Sequence, residues 1–198
     1  MQHILCTHHS QVEKQLTGEG FIRTTEDIFD LQHIWIGPRS LLEEDEKFKQ
    51  IIPYIVLSFQ GKLAVYQRTK KGGENRLHQM NSIGFGGHID AFDLAYDEHG
   101  IILLNQTIAN SAEREIGEEL NLSGISNKQK LGYIVDNSNP VGRVHIGVVE
   151  QWELSDPHIQ SNEEEIHLLG LLSADEINHL PDELENWSGH IVAGLSQE

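Results

Sequence analysis

Only one cysteine, Cys6, occurs in the 198 residues, so no intrachain disulfide can form. That usage fits a reducing compartment, and a cytoplasmic protein is expected. Basic residues are scarce: 14 Lys and Arg stand against 31 Asp and Glu, a formal net charge of −17. A field of that sign opposes docking on DNA or RNA, where neutralising phosphates supplies most of the affinity, so no nucleic acid polymer is expected as a partner. Small phosphate compounds stay open, because a bound divalent cation inverts the local field. The opening residues, MQHILCTHHSQ, have no basic segment leading into an apolar run, so no signal peptide is expected. No apolar stretch approaches the length that crosses a bilayer, and no membrane partner is expected. The histidines are scattered, and none pairs with a cysteine at zinc-ligand spacing. Internal repeats and low-complexity linkers are also lacking.

What remains is an ordinary globular composition, 38% hydrophobic, over a length that suits one domain with a real core. In SLLEEDEKF, Ser40 and Glu43 stand at capping-box spacing, which predicts a short acidic helix. IIPYIVLSF and LAVYQR flank QGK and predict a hairpin over 51–68. KKGGEN reads as a loop, and NSIGFGGHID as a strand entering a glycine-rich turn. AFDLAYDEHGIILLN predicts a second hairpin turning at Asp97 to Gly100, and a helix follows over about 107–120. KLGYIVDN and GRVHIGVVEQWEL read as strands, and Ser173 with Glu176 form another capping box. Leu184, Trp187, Ile191 and Leu195 recur at helical spacing near the C-terminus. This order of strands and helices predicts an α/β class, a sheet covered by helices on its faces.

The stretch REIGEEL, 114 to 120, crowds Glu115, Glu118 and Glu119 onto one short helical segment. At 100° per residue the three carboxylates share an arc of about 100°. Ala109, Ala112, Ile116 and Leu120 form the adjacent apolar stripe, so the glutamates stand at the core's margin. Like charges at these spacings repel by a few tenths of a kcal/mol per pair. An acidic helix face is ordinarily solvated surface. Here a strand ending in Gly86-Gly87-His88 precedes the helix, and glycines let a ligand approach the backbone closely. A hard divalent cation, which takes oxygen ligands, would turn the repulsion into attraction.

The run Arg114-Glu115-Ile116-Gly117-Glu118-Glu119, with Leu122 after it and GGH before it, resembles the Nudix box, G-x5-E-x7-R-E-U-x-E-E-x-G-U, in which U is bulky and apolar. The resemblance covers about 51–175. It implies a Nudix-like α/β/α sandwich with a mixed β-sheet. Residues 1–50 would be an N-terminal extension packed on a domain spanning 51–198. Two positions depart from the pattern: Asn121 stands for the late glycine, and Gln106 for the upstream glutamate that pairs with the box arginine. Eighteen residues separate Gly87 from Gln106 where the pattern has five, which implies an inserted hairpin over about 91–104.

What the resemblance implies for chemistry is hydrolysis of a diphosphate linkage. Glu115, Glu118 and Glu119, with the Gly87 carbonyl, would hold Mg²⁺ or Mn²⁺, and Arg114 would orient Glu115. The general base would be a box glutamate or one of Glu163, Glu164 and Glu165, with Glu164 taken as the candidate. Arg68, Arg76 and His88, around the turn and the loop before it, are the candidates for substrate binding. Lys70 and Lys71 lie in the same loop, where solvated charge is the ordinary reading. The expected partner is a small-molecule diphosphate substrate and, at most, a second copy of the chain in a homodimer. Two other readings stay open: a non-catalytic nucleotide sensor, and an isomerase of the isopentenyl-diphosphate type, which needs a cysteine near its site.

Overall fold

The computed structural model describes residues 2–69 and 80–195. Its strands are β1 (His3–His8), β2 (Gly20–Arg23), β3 (Ile34–Pro38), β4 (Phe48–Phe59), β5 (Lys62–Arg68), β6 (Asn81–Ser82), β7 (Gly84–Phe85), β8 (Leu120–Leu122), β9 (Ile125–Val135), β10 (His145–Leu154), β11 (Ile159–Ser161) and β12 (Ile166–Leu172). The helices are α1 (His9–Gln15), α2 (Arg39–Leu42), α3 (Leu104–Glu119), α4 (Pro140–Arg143), α5 (Ala174–Asn178) and α6 (Asn186–Leu195). The main sheet runs β12-β5-β4-β10-β9-β2, and β1, β3, β6 and β7 join it off that path. Among the described strands β4 and β10 pair in parallel and the other strand pairs are antiparallel, so the sheet is mixed.

β4 is the spine. Its near-continuous apolar run is buried from Lys49 to Ser58, as suits a strand covered on both faces. The hairpin to β5 turns at Gln60 and Gly61, both with positive φ (50° and 78°), the left-handed pair that a two-residue hairpin needs. The helix α3 lays Ala112 and Ile116 on one apolar cluster with Ile55, Phe85 and Trp152. Ile191 and Val192 of α6 cover another with Tyr54, Val65 and Ile134. The result is the expected helix-covered α/β sheet.

The first fifty residues are stitched into this sheet and do not lie over it as a separate layer. β1 pairs with β4 and β3, and β2 closes the far edge against β9. The short helix of that region also differs from expectation. Ser40 does not cap it: α2 starts at Arg39 behind an extended Pro38 with no side-chain cap. Arg39 instead bonds Glu43 one turn on, at 2.7 Å. The second hairpin shrinks to a single bridge, Tyr96 to Ile102, closed by Asp97. Residues 91–93, placed in that hairpin by the sequence, form a 3₁₀ turn instead. Among the described residues no helix is long and apolar enough to cross a membrane.

Candidate active site

The carboxylates sit on the last turns of α3, where their environments diverge. Glu119 is buried at 7% exposure, Glu115 is half-buried and Glu118 is exposed. Among the described residues Oε2 of Glu119 has no hydrogen-bond partner. Burial pushes the Glu119 carboxyl up to about 8; Arg68 pulls it down, while Glu115, Glu163 and Glu118 add to the rise. Burial raises Glu115 too, against the opposing pull of Arg114. The helix thus buries a carboxylate oxygen that no described residue satisfies, an arrangement costly enough to call for an explanation.

The glycine turn lies against this helix. A Cβ on Gly86 would strike the Pro53 carbonyl, so that position requires glycine, and one on Gly87 would stand 2.5 Å from Glu115 Oε1 and push that carboxylate aside. Arg114 fastens turn to helix. Its Nη2 donates to the His88 carbonyl at 3.0 Å, and its Nη1 to Glu115 at 2.7 Å and Glu118 at 3.2 Å. Its main partner is Asp93, which takes Nε and Nη2 at 2.9 Å each, a bidentate pair. Asp93 is buried, and its hydrogen bonds are the main reason the guanidinium is held above its usual pKa.

This overturns the assignment of Gln106. That side chain is exposed and donates to Asn110 at 2.8 Å. Asp93 fills the place facing Arg114, and it stands five intervening residues after Gly87, the spacing the box prescribes. The extra residues therefore follow the acidic position and do not precede it. The signal was in the sequence, disguised by Asp standing for Glu.

Other expected residues fall as follows. His88 lines a cavity of ≈ 370 Å³ with Gly86, Gly87, Arg68, Tyr54, Trp187 and, from the N-terminal segment, Arg39. Gln50 Nε2 donates to the Leu42 carbonyl, so its Oε1 faces His88 and accepts from Nε2 at 2.8 Å. Nδ1 of His145 donates to the Val141 carbonyl, leaving its Nε2 to accept from His88 at 3.2 Å. Burial, with Arg39 and His145 adding, drives His88 down to about 3, so the ring is neutral. Arg68 stacks near Tyr66, donates to its hydroxyl at 3.3 Å, and supports that ring's hydrogen bond to the Gly84 carbonyl. Arg76, Lys70 and Lys71 lie outside the described residues. Glu164 is exposed on the turn before β12, where its carbonyl accepts from Thr69 at 3.2 Å. Glu163 is the member of that trio whose charge acts on Glu119. Asn162 ties the same loop to α3 through the Glu119 carbonyl at 2.8 Å. Cys6 is buried with Ile4 and Leu42 in a cluster of its own, its thiol pushed up to about 12, which removes the cysteine an isomerase would use.

The mixed sheet, the glycine turn and the carboxylate helix held by one arginine define a class, and the chain belongs to the Nudix family. It is 35% identical over 156 residues to protein YmaB of Bacillus subtilis, covering 76% of this chain and 72% of that one. Among solved structures it is similar to Tm1382, a proposed Nudix hydrolase, with a TM-score of 0.78, 25% identity and 98% of each chain covered. A bifunctional NMN adenylyltransferase/ADP ribose pyrophosphatase from Francisella tularensis, complexed with AMP and manganese ion, shares the fold at a TM-score of 0.53 and 16% identity, covering 75% of this chain and 41% of that one. No protein-family model matches the chain.

Proposed function

We propose that the protein is a divalent-metal-dependent hydrolase that cleaves a diphosphate linkage in a nucleotide or related phosphorylated small molecule. The observation that carries this reading is the buried Oε2 of Glu119, without a hydrogen-bond partner among the described residues, beside Glu115, which is itself seated on Gly87. The donor set is all oxygen, the chemistry a hard cation selects. Among the described residues no three acidic or imidazole side chains already converge as a cage. Arg114 pairs with Glu115 and Glu118 at 2.7 and 3.2 Å.

Glu115, Glu119 and the Gly87 carbonyl would hold Mg²⁺ or Mn²⁺, with Glu118 at the exposed margin. When bound, such an ion neutralises phosphate oxygens and acidifies a water for in-line attack. The protein's own groups do the rest. Arg114, anchored by Asp93, keeps Glu115 in register with the turn. Arg68 and His88 border the place where the phosphates would lie. A carboxylate near the attacked phosphorus would take the water's proton, and Glu164, Glu163 and the α3 glutamates are the candidates.

The test is a panel of diphosphate compounds, with released phosphate or nucleoside monophosphate measured in Mg²⁺, Mn²⁺ and EDTA. Turnover should require the metal. Glu115→Gln and Glu119→Gln should each lower kcat by about 10²-fold or more with the fold intact. Equal turnover in EDTA would sink the metal mechanism, and no turnover across the panel would favour a nucleotide-binding role without catalysis.

A further inference from the structure

We infer that Arg39 is a substrate-binding residue that takes an anionic group, a phosphate, of the ligand, which makes the N-terminal segment part of the site. The inference rests on the hydrolase reading for its substrate, though not for its anion chemistry.

Arg39 belongs to α2, outside the stretch that resembles the family, yet its side chain lines the same cavity as Gly86, Gly87 and His88. The segment that carries it is fastened to the glycine turn. Leu5 of β1 donates to the Ile89 carbonyl at 2.9 Å, and Ile4 bridges Asp90. Gln2 works in both directions: its Nε2 donates to Asp90 at 3.0 Å, and its Oε1 accepts from Arg39 Nη1 at 3.2 Å. The Arg39 amide also bonds the Gln2 carbonyl at 3.0 Å.

These contacts leave the guanidinium positioned and incompletely used. Nε goes to Glu43 and Nη1 to Gln2, while Nη2 has no partner among the described residues. Its charge is felt at His88, where it helps keep the ring neutral. The acidic groups of the cavity do not compete for it. Asp136 is taken by Ser138, Asn139 and Asn186. Glu185 is taken by Tyr54, Ser188 and the Trp187 amide. Both carboxylates are satisfied within the chain, so neither ties up the Arg39 guanidinium. In a protein of net charge −17, a held cation with a spare donor in the lining of a cavity is a fitting partner for a ligand's anionic group.

The experiment compares the full-length protein with Arg39→Gln, Arg39→Lys and a control outside the cavity, Arg143→Gln, whose side chain pairs with Glu46. Inorganic pyrophosphate is titrated in EDTA by calorimetry, so that no metal contributes. The wild type should bind saturably. Arg39→Gln should weaken binding about tenfold or more, Arg39→Lys less, and Arg143→Gln should match the wild type. With any substrate that turns over, Arg39→Gln should raise KM by a similar factor and leave kcat nearly unchanged. If Arg39→Gln melts early, the comparison of Arg39→Lys with Arg143→Gln decides. Equal binding by wild type and Arg39→Gln, an equal loss in Arg143→Gln, or no saturable binding by the wild type would overturn the inference. Absence of turnover alone would count against the hydrolase reading and leave the pyrophosphate result to judge Arg39.

Discussion

Arg114 makes contacts to Asp93, Glu115, Glu118 and the His88 carbonyl, and Asp93 is the partner buried most deeply. Asp93→Asn should therefore cost about 2–4 kcal/mol, below the limit for a fully buried pair because Arg114 keeps 21% side-chain exposure. Gln106→Glu, at an exposed position that touches Asn110, should stay within about 0.5 kcal/mol of the wild type. Urea melts of the two variants check this, and a larger loss from Gln106→Glu would reverse the assignment. Glu119 has the opposite character, a buried carboxyl whose Oε2 finds no hydrogen-bond partner among the described residues. Its folded pKa is raised, so its contribution is intact below the unfolded value near 4.5 and is lost as pH rises toward about 8. In EDTA, Glu119→Gln should thus stabilise the protein by about 1 kcal/mol or more at pH 9 and by less than about 0.5 kcal/mol at pH 4. A gain that did not grow with pH would mean that Oε2 is solvated after all.

Elements were more legible in the sequence than their joints. The amphipathic spacing of α6, the hairpin of β4 and β5, and the acidic helix all follow from local pattern, because burial of one face leaves a periodic trace. The two capping-box patterns show where local reading stops. Ser173 caps α5, with Glu176 reaching back to its amide at 2.8 Å. Ser40 has the same spacing and caps nothing, because it already lies inside α2, which starts at Arg39, and the Glu43 carboxylate goes to Arg39 Nε. Ser173→Ala should cost about 1 kcal/mol and Ser40→Ala close to nothing, as thermal melts would report. The site divides the same way. The glutamates and Arg114 were readable as a string. Asp93 was hidden because Asp stands where the pattern has Glu, and Arg39, His145 and Gln50 reach the site through tertiary packing, which no spacing along the chain announces.

At the scale of the molecule, the excess of acid constrains what the fold can approach. Self-repulsion at −17 should be eased by salt, and a bound cation would relieve it where the carboxylates crowd most. The parallel pairing of β4 with β10 has another outcome, for how the chain reaches its native state. Gln50 pairs with His145 and Ser58 with Glu153, so the spine strand waits for a partner nearly a hundred residues downstream. Closing so long a loop is entropically slow, and folding should run in milliseconds to seconds at a contact order typical of sheet-rich domains. During synthesis, at about 5–20 residues per second, β4 would emerge and stand for several seconds with one flank open. Ribosome-bound chains truncated before residue 145 should consequently be digested by protease along β4, while chains extended past residue 154 and clear of the exit tunnel should resist. Equal protection of the two would mean that the strand finds a temporary partner among the residues made before it.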